Sequence, residues 1–423
     1  MTDCSREALL RRLFETAVAA ADPMKCVPAF LPERINGRTV LIGAGKASAR
    51  MAEAVEAAWG ASEGLVITRD GYSRPCRGIE IVEASHPVPD GRGLQATQRL
   101  LGLLSSLEEA DHVIALISGG ASALLEAPAG DISLADLQAL NEALLASGAP
   151  ITDMNTVRKH VSLVKGGQLA AAAYPARMTA LIISDVAGDD PAFIASGPTV
   201  GDRTTPADAR AVIERFGMSV PASVLAVLDS ATGVLPPEDE RVSRVENRII
   251  AAPSLSLEAA ASLAADEGME VEILGDAIEG EAREVAEQQA RLAIERQQAM
   301  KPGGWPVLLL SGGECTVTRR GKGCGGPNAE FALALAIALK GANGLYGIAC
   351  DTDGVDGAAN VAGAVVGPST LERAEALGLD PVAMLGDNDS HSFFAALGDQ
   401  VVPGPTLTNV NDFRAILIES PMT

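Results

Sequence analysis

The chain reads as an α/β protein of two domains, each built on a largely parallel sheet flanked by helices, and three observations predict this. Its 423 residues are about two to three times the usual single-domain length. From residue 38, short β-branched or aliphatic runs alternate with Ala-rich stretches of helical period, the signature of alternating strands and helices. Those runs are apolar throughout rather than alternating, as strands buried on both faces are. Apolar residues make up 47 % of the chain and aromatic ones only 3 %, so the cores must be filled by Ala, Val, Leu and Ile.

Taken in order, residues 1–21 place Leu10, Leu13, Phe14, Ala17 and Val18 among Arg11, Arg12 and Glu15, which is an amphipathic helix. Its acids Asp3, Glu7 and Glu15 argue against a signal or transit peptide. Strands are expected at 39–43, 64–68, 79–83, 112–117 and 178–184, with helices at 47–58, 91–105 and 134–146. The stretch 233–244 (GVLPPEDERVSR) interrupts this pattern with paired prolines and an unbroken charged run at 238–241, and reads as a linker. Domains are therefore expected at 1–235 and 245–423. Beyond the linker, strands at 248–252, 270–274, 307–310, 345–349 and 415–419 surround helices at 254–265, 281–298 and 328–339.

Composition removes several functions. A net charge of −22 is a poor match to nucleic acid or an anionic membrane. The six cysteines stand apart with no CxxC, and the four histidines form no HxxxH or HExxH, so neither a disulfide framework nor a zinc site is suggested. No apolar run approaches the roughly 18 residues of a membrane span. A soluble, reduced, cytoplasmic protein is the expectation.

Ligands of open α/β sheets bind at the carboxyl ends of strands, so the loops there carry the candidates. GAGKAS (43–48) lacks the first glycine of a phosphate-binding P-loop, Val40 standing there, and ends in Ser48 where a dinucleotide fingerprint needs glycine. What remains is a Gly43, Gly45 turn whose N–H groups favour an anion, with Lys46 at the helix start. A second such turn is Ser118, Gly119, Gly120, Ser122. The segment MNTVRKH (154–160) with KGGQ (165–168) concentrates Arg158, Lys159, His160 and Lys165 near Asn155; an anion site and a solvated basic face both explain it. Carboxylates at strand ends are Asp185, Asp189 and Asp190, then Asp351, Asp353 and Asp356. The last group lacks the twelfth-position Glu of a calcium loop, Ala362 standing there, and suits either magnesium with a nucleotide or a cluster of Asx turns. Glu314, the GKGCGG loop (321–326) with Gly325 and Gly326, then Asn328 and Glu330, form a glycine-rich approach to a helix. It is expected to be a mobile lid whose amides line polyphosphate. A polar segment, 404–412, contains Asn409.

With these motifs quoted, together with HPVPD (86–90), KGGQLA (165–170), ISDVAGDDP (183–191), ASGPTV (195–200), SGGE (311–314), DTDGVDG (351–357) and GPTLTNVND (404–412), the chain resembles the glycerate 2-kinase family, whose C-terminal half is the MOFRL domain. The resemblance covers nearly the whole length. It implies two α/β domains, the first Rossmann-like, facing a cleft, and ATP-dependent phosphorylation of D-glycerate at its 2-hydroxyl with Mg²⁺. It carries a catalytic lysine onto Lys46. It also implies an arginine in a GGRNQE motif, but Pro327 stands in that place and Ala329 replaces the glutamine, so Arg158 or Lys322 must supply the charge or the substrate differs. On this reading Lys46 and the turns at 43–48 and 118–122 hold phosphate, Arg158 grips the substrate carboxylate, Asp189 takes or orients the hydroxyl, and Glu314, Asp351 and Asp353 hold Mg²⁺. Glycerate and ATP are the expected partners, and a homodimer is left open. The alternatives are a nicotinamide-dependent hydroxypyruvate reductase, a kinase for another small hydroxy acid, and a non-catalytic sensor of an acidic metabolite.

Overall fold

The computed structural model describes residues 3–357 and 359–421. The chain folds as two compact units: one is Pro23–Ile250, the other joins the N-terminal helix to the chain from Ala251 onward.

The first unit holds β1 (Thr39–Ala44), β2 (Glu63–Arg69), β3 (Ile79–Ala84), β4 (His112–Ile117), β5 (Arg177–Ile183) and β6 (Val245–Ala251), in the order β3-β2-β1-β4-β5-β6. The pairs β1·β2, β1·β4, β2·β3 and β4·β5 are parallel. Every residue of β4 is buried, which is why it reads as an uninterrupted apolar run. Val40, Ile42, Val113 and Ala115 share one core with Leu100 of the helix Gly91–Leu104. Strand order reverses between β1 and β4, and a sheet of this kind opens its ligand crevice at that point. A smaller apolar cluster joins the helices Leu134–Ala146, Ile151–His160, Pro206–Arg215 and Ala222–Leu228.

The second unit contains β7 (Glu270–Gly275), β8 (Gly280–Glu281), β9 (Val307–Gly313), β10 (Cys315–Thr316), β11 (Leu345–Asp351), β12 (Gly363–Val366), β13 (Gln400–Val401) and β14 (Asp412–Ile418). Its main sheet runs β13-β12-β11-β14-β9-β7. Two α/β units with helix-flanked sheets are thus present as expected. In this second sheet β7·β9 is parallel, while β9·β14, β14·β11, β11·β12 and β12·β13 are antiparallel. Burial on both faces produces the same apolar run in either direction, so strand sense was not readable from it. The helix Pro327–Leu339 has Asn328 through Ala336 buried without a break and packs on β11 and β12. Among the described residues no helix is long and apolar enough to cross a membrane.

The expected boundaries, 1–235 and 245–423, are corrected at both ends. The helix Asp3–Ala20 buries Leu9, Leu10, Leu13, Phe14 and Ala17 against Leu257 and Ala260 of the helix Pro253–Asp266. Its apolar stripe belongs to the far core, although the chain then enters the near one. The stretch read as a linker is packed down: the Leu235 amide donates to the Gly166 carbonyl at 3.1 Å, and β6 completes the first sheet. Prolines and charges marked a surface segment, and the strand beyond it returns to the same unit.

Candidate functional site

In the first unit, β1 and β4 are neighbours, so the turns that follow them lie side by side at the sheet's switch point. The Lys46 amide donates to the Gly119 carbonyl at 2.8 Å, and that of Ser118 to Ala44 at 3.2 Å. The Ser118 hydroxyl accepts from the Ala47 amide at 3.0 Å, while Ser48 donates to the Leu116 carbonyl at 2.9 Å. Gly45 sits at φ +136°, and a Cβ there would lie 2.2 Å from Ser118 Oγ. Glycine is required for this closeness. A Cβ on Gly43 would lie 2.4 Å from the Leu116 oxygen.

This locking changes which atoms face a ligand. The amides of Gly45, Lys46, Ala47 and Ser48 all donate within the protein, so the first turn does not offer the open N–H cradle expected of it. Ser48 and Ser118, both fully buried, fasten the two turns to each other. The amides of Gly119 and Gly120, by contrast, donate to no acceptor among the described residues. The half-buried Lys46 side chain lies beside them: a Cβ on Gly120 would meet Lys46 Cγ at 3.3 Å.

A hydrogen-bond chain runs on from this turn. Ser122 Oγ lies 2.9 Å from Ser196 Oγ, which donates to Asn155 Oδ1 at 3.0 Å; Arg158 donates to the same oxygen at 3.5 Å. The basic segment therefore sorts by partner. Lys159 is paired with Asp202. His160 bridges Thr232 and Thr204 at 2.6 and 3.2 Å, and burial lowers its pKa. Lys165, expected at the ligand, is instead sealed in an ion pair with Glu126 at 2.6 Å, with side chains 1 % and 4 % exposed. Burial pulls the lysine down and pushes the carboxyl up from their ordinary values. Among the described residues, Arg158 alone of these four has neither a carboxylate within ion-pair distance nor a strong hydrogen bond. Burial lowers its pKa, partly offset by Glu126. Asp189 stands at φ +54° in the turn after β5, and its Oδ1 is buried with no hydrogen-bond partner.

The second unit gathers four motifs by a different route. Because β14 is antiparallel, its first residue lies level with the last residues of two neighbours: Asp412 pairs with Gly313 and with Asp351. The segments 351–357 and 404–412 are stitched together there. The Thr352 hydroxyl donates to the Asn411 carbonyl at 2.7 Å and accepts from the Val410 amide at 2.9 Å. Asn328 Nδ2 donates to Asp412 Oδ1 at 2.7 Å. Asp412 is in turn paired with the buried Arg414 at 2.7 Å. Asp356 accepts from the Asn328 and Ala329 amides at 2.9 and 2.8 Å, capping the helix Pro327–Leu339.

Here the residues expected at metal and phosphate make contacts within the protein. Asp351 and Asp353 act as Asx turns, accepting from the amides of Asp353 and Val355, each at 2.8 Å. Glu314 is exposed, and among the described residues no three His, Cys, Asp or Glu side chains form a metal-holding group. The 321–326 loop is fastened down along the segment 387–389. The amides of Arg320 and Gly321 donate to Asn388 Oδ1, those of Lys322 and Gly323 to Asp387, and that of Cys324 to Asp389. Its glycines permit contact: a Cβ on Gly325 would lie 2.7 Å from Ser390 Oγ, and one on Gly326 2.4 Å from Asp356 Cγ. Glu330 pairs with Arg283 at 2.5 Å and accepts from Asn388 Nδ2 at 2.9 Å, so it braces this loop. Asn328 keeps one buried, unpartnered atom, Oδ1. Asn409 is buried in its loop. Pro327 occupies the first helical turn, where its missing N–H costs nothing.

Sequence reasoning assigned no role to Glu126, Asp202, Arg283 or Asn388. Each is the distant partner of a residue it did single out, and nothing local marks such a pair.

A family model described as a domain of unknown function matches residues 9–229, and the MOFRL family model matches residues 307–412. A protein of Agrobacterium vitis, provisionally named a hydroxypyruvate reductase, is 53 % identical over 98 % of this chain and 95 % of its own length. The D-glycerate 2-kinase of Thermotoga maritima is 39 % identical over 98 % of this chain and 99 % of its own. A crystal structure of glycerate kinase from Thermotoga maritima superposes with a TM-score of 0.89, covering 98 % of this chain and 100 % of that one. Paired glycine turns at the switch point, a MOFRL half and full-length similarity converge: the chain belongs to the MOFRL-type glycerate kinase family.

Proposed function

We propose that this protein transfers the γ-phosphoryl group of ATP to the 2-hydroxyl of D-glycerate. The observation that carries this reading is Arg158, desolvated and without a carboxylate partner, in the unit that also holds Lys46 and the Gly119–Gly120 amides. A kinase for a small hydroxy acid needs those two sets of groups, one for the carboxylate and one for the phosphoryl. The planar Arg158 fork would take the substrate carboxylate, with Asn155, Ser196 and Ser122 fixing its direction. Lys46 and the two amides would stabilise charge on the transferring phosphoryl, where fixed donors act without reorganising. Asp189, whose Oδ1 is buried and unpartnered, would accept the hydroxyl proton as that oxygen attacks.

Among the described residues no group of three His, Cys, Asp or Glu side chains could hold a metal ion, so no step is assigned to the acids read as magnesium ligands. Magnesium takes one or two carboxylates and otherwise phosphate and water oxygens, and would arrive with the nucleotide. A nicotinamide reductase is disfavoured by the acid after β2. That acid, Asp70, would have to meet the ribose, and it is held in two hydrogen bonds by Arg92 at 2.6 and 2.8 Å. Replacement of the family arginine by Pro327 supports testing other hydroxy acids beside D-glycerate. A cytoplasmic location suits an enzyme of this kind.

The test is ADP release from Mg-ATP with a panel of hydroxy acids, the product identified by ³¹P and ¹H NMR. Formation of 2-phosphoglycerate is expected. ADP release with another acid alone would move the substrate and keep the chemistry, whereas NADH oxidation by hydroxypyruvate without ADP release would overturn the kinase.

A further inference from the structure

We propose that His86 contacts the substrate in this site: its Nε2–H donates to an oxygen of the transferring phosphoryl group, alongside Lys46. This rests on the kinase reading above and adds a residue to it.

Two observations support the assignment. The first is position. β3 ends at Ala84, so His86 emerges at the same edge of the sheet as the turns after β1 and β4. Gly120 has φ +81°, and a Cβ there would lie 2.9 Å from His86 Nε2 and 3.3 Å from Lys46 Cγ. The imidazole's polar edge and the lysine stem thus converge over the bare Cα of the residue whose amide is without an acceptor.

The second is fixation. The Asp90 carboxylate accepts from the amides of Ser85, Arg92 and Gly93 at 3.3, 3.1 and 3.1 Å, and from Arg92 Nε at 2.7 Å. On the other flank Gln138 donates to the Pro89 carbonyl at 2.7 Å. The segment 85–90 is therefore clamped at both sides of the histidine. Such preorganisation is what charge stabilisation in a transition state requires.

The step balances without a proton on His86. The 2-hydroxyl oxygen bonds to the γ-phosphorus, and the bond from that phosphorus to the bridging oxygen breaks with its electron pair leaving on ADP. The hydroxyl proton passes to Asp189. Charge spreads over three equatorial phosphoryl oxygens, and His86, Lys46 and the Gly119–Gly120 amides supply donors from different directions.

Substitution by Gln and by Asn tests this, because Gln Nε2 can reach the place of the imidazole Nε2 and the shorter Asn cannot. His86→Asn is expected to lower kcat about 100-fold with KM for D-glycerate nearly unchanged, the scale of one lost preorganised donor. His86→Gln should recover about tenfold of that loss. A merely structural histidine would give two similar variants that alter thermal unfolding instead. With four histidines in the chain, the ¹H–¹³C imidazole signal of His86 can be assigned by its loss in His86→Gln. It should shift on addition of a non-hydrolysable ATP analogue with Mg²⁺ and stay put with D-glycerate alone. Wild-type kcat in both variants, or an unmoved signal, overturns the assignment. Failure of the wild type to release ADP with any hydroxy acid would overturn the kinase reading instead, and the same NMR titration would still report whether His86 meets nucleotide phosphate.

Discussion

The turn at 118–122 in the first unit and the loop at 321–326 in the second are both glycine-rich and both run into a helix, yet their backbone N–H groups have opposite destinations. In the turn, Gly119 and Gly120 donate to nothing among the described residues, with Lys46 and His86 close by. In the loop, the amides from Arg320 to Cys324 are all taken by Asp387, Asn388 and Asp389. Glycine in both places serves close approach. What it admits differs: in the turn the side chains of Lys46 and His86, in the loop Asp356 and the fastening segment 387–390. Glycine content therefore reports tight packing, and the fate of the amides distinguishes a cradle from a fastening.

Four experiments press on this difference, beginning with the largest expected effect. Glu126→Ala leaves Lys165 buried without its counter-ion and should destabilise the protein by about 3–5 kcal/mol, read as a lowered urea midpoint. A midpoint near wild type would mean that the pair does not hold the region around Arg158. Next is a pH effect in the second unit. Burial, the main cause, pushes the Asp356 carboxyl up to about 7 from its ordinary 3.8, with Asp412 adding to the rise and the Asn328 and Ala329 amides opposing it. Around it stand His391 at 3.3 Å, Asn328, and the Asp412–Arg414 pair. The folded state binds this proton more tightly than the unfolded chain. The resulting stability is present in full below about pH 4 and is lost as pH rises through about 7. Urea unfolding should show wild type losing a few kcal/mol relative to Asp356→Asn over that window; parallel pH curves for the two proteins would refute it.

Lys46→Ala should lower kcat about 100-fold or more, as loss of a fixed charge in a dry site does; unchanged turnover would remove Lys46 from the phosphoryl site. The smallest effect concerns the fastened loop. Asn388→Ala deletes the acceptor of two backbone amides and should cost about 1–3 kcal/mol, while exposing 321–326 to protease. In wild type that loop should resist cleavage equally with and without ATP. Protection that appears only with nucleotide would restore the mobile lid that the sequence suggested.

Much of the fold was legible because its causes are local. The apolar run 112–117 matched β4 residue for residue, and the apolar faces of the helices at 91–105 and 281–298 were visible in spacing alone. Lys46, Arg158 and Asp189 could be singled out because a strand-end lysine, a basic cluster in an acidic chain and an acid after a strand are local anomalies. The same signals could not rank the basic cluster. Lys165 and Arg158 look equivalent as letters, and Glu126 decides between them.

The sequence by itself determined the two α/β cores, the placement of the polar motifs at strand ends and the absence of a basic surface, since propensity, periodicity and composition act over a few neighbouring residues. Only the tertiary structure decided that the first helix covers the second core, that β14 runs antiparallel to bring Asp412 beside Asp351, and that the amides of 320–324 are taken while those of Gly119 and Gly120 are left. Each depends on atoms far apart in the chain. A hydrogen bond or ion pair is satisfied by whatever partner the fold brings within about 3 Å, and that partner leaves no mark beside the residue it satisfies.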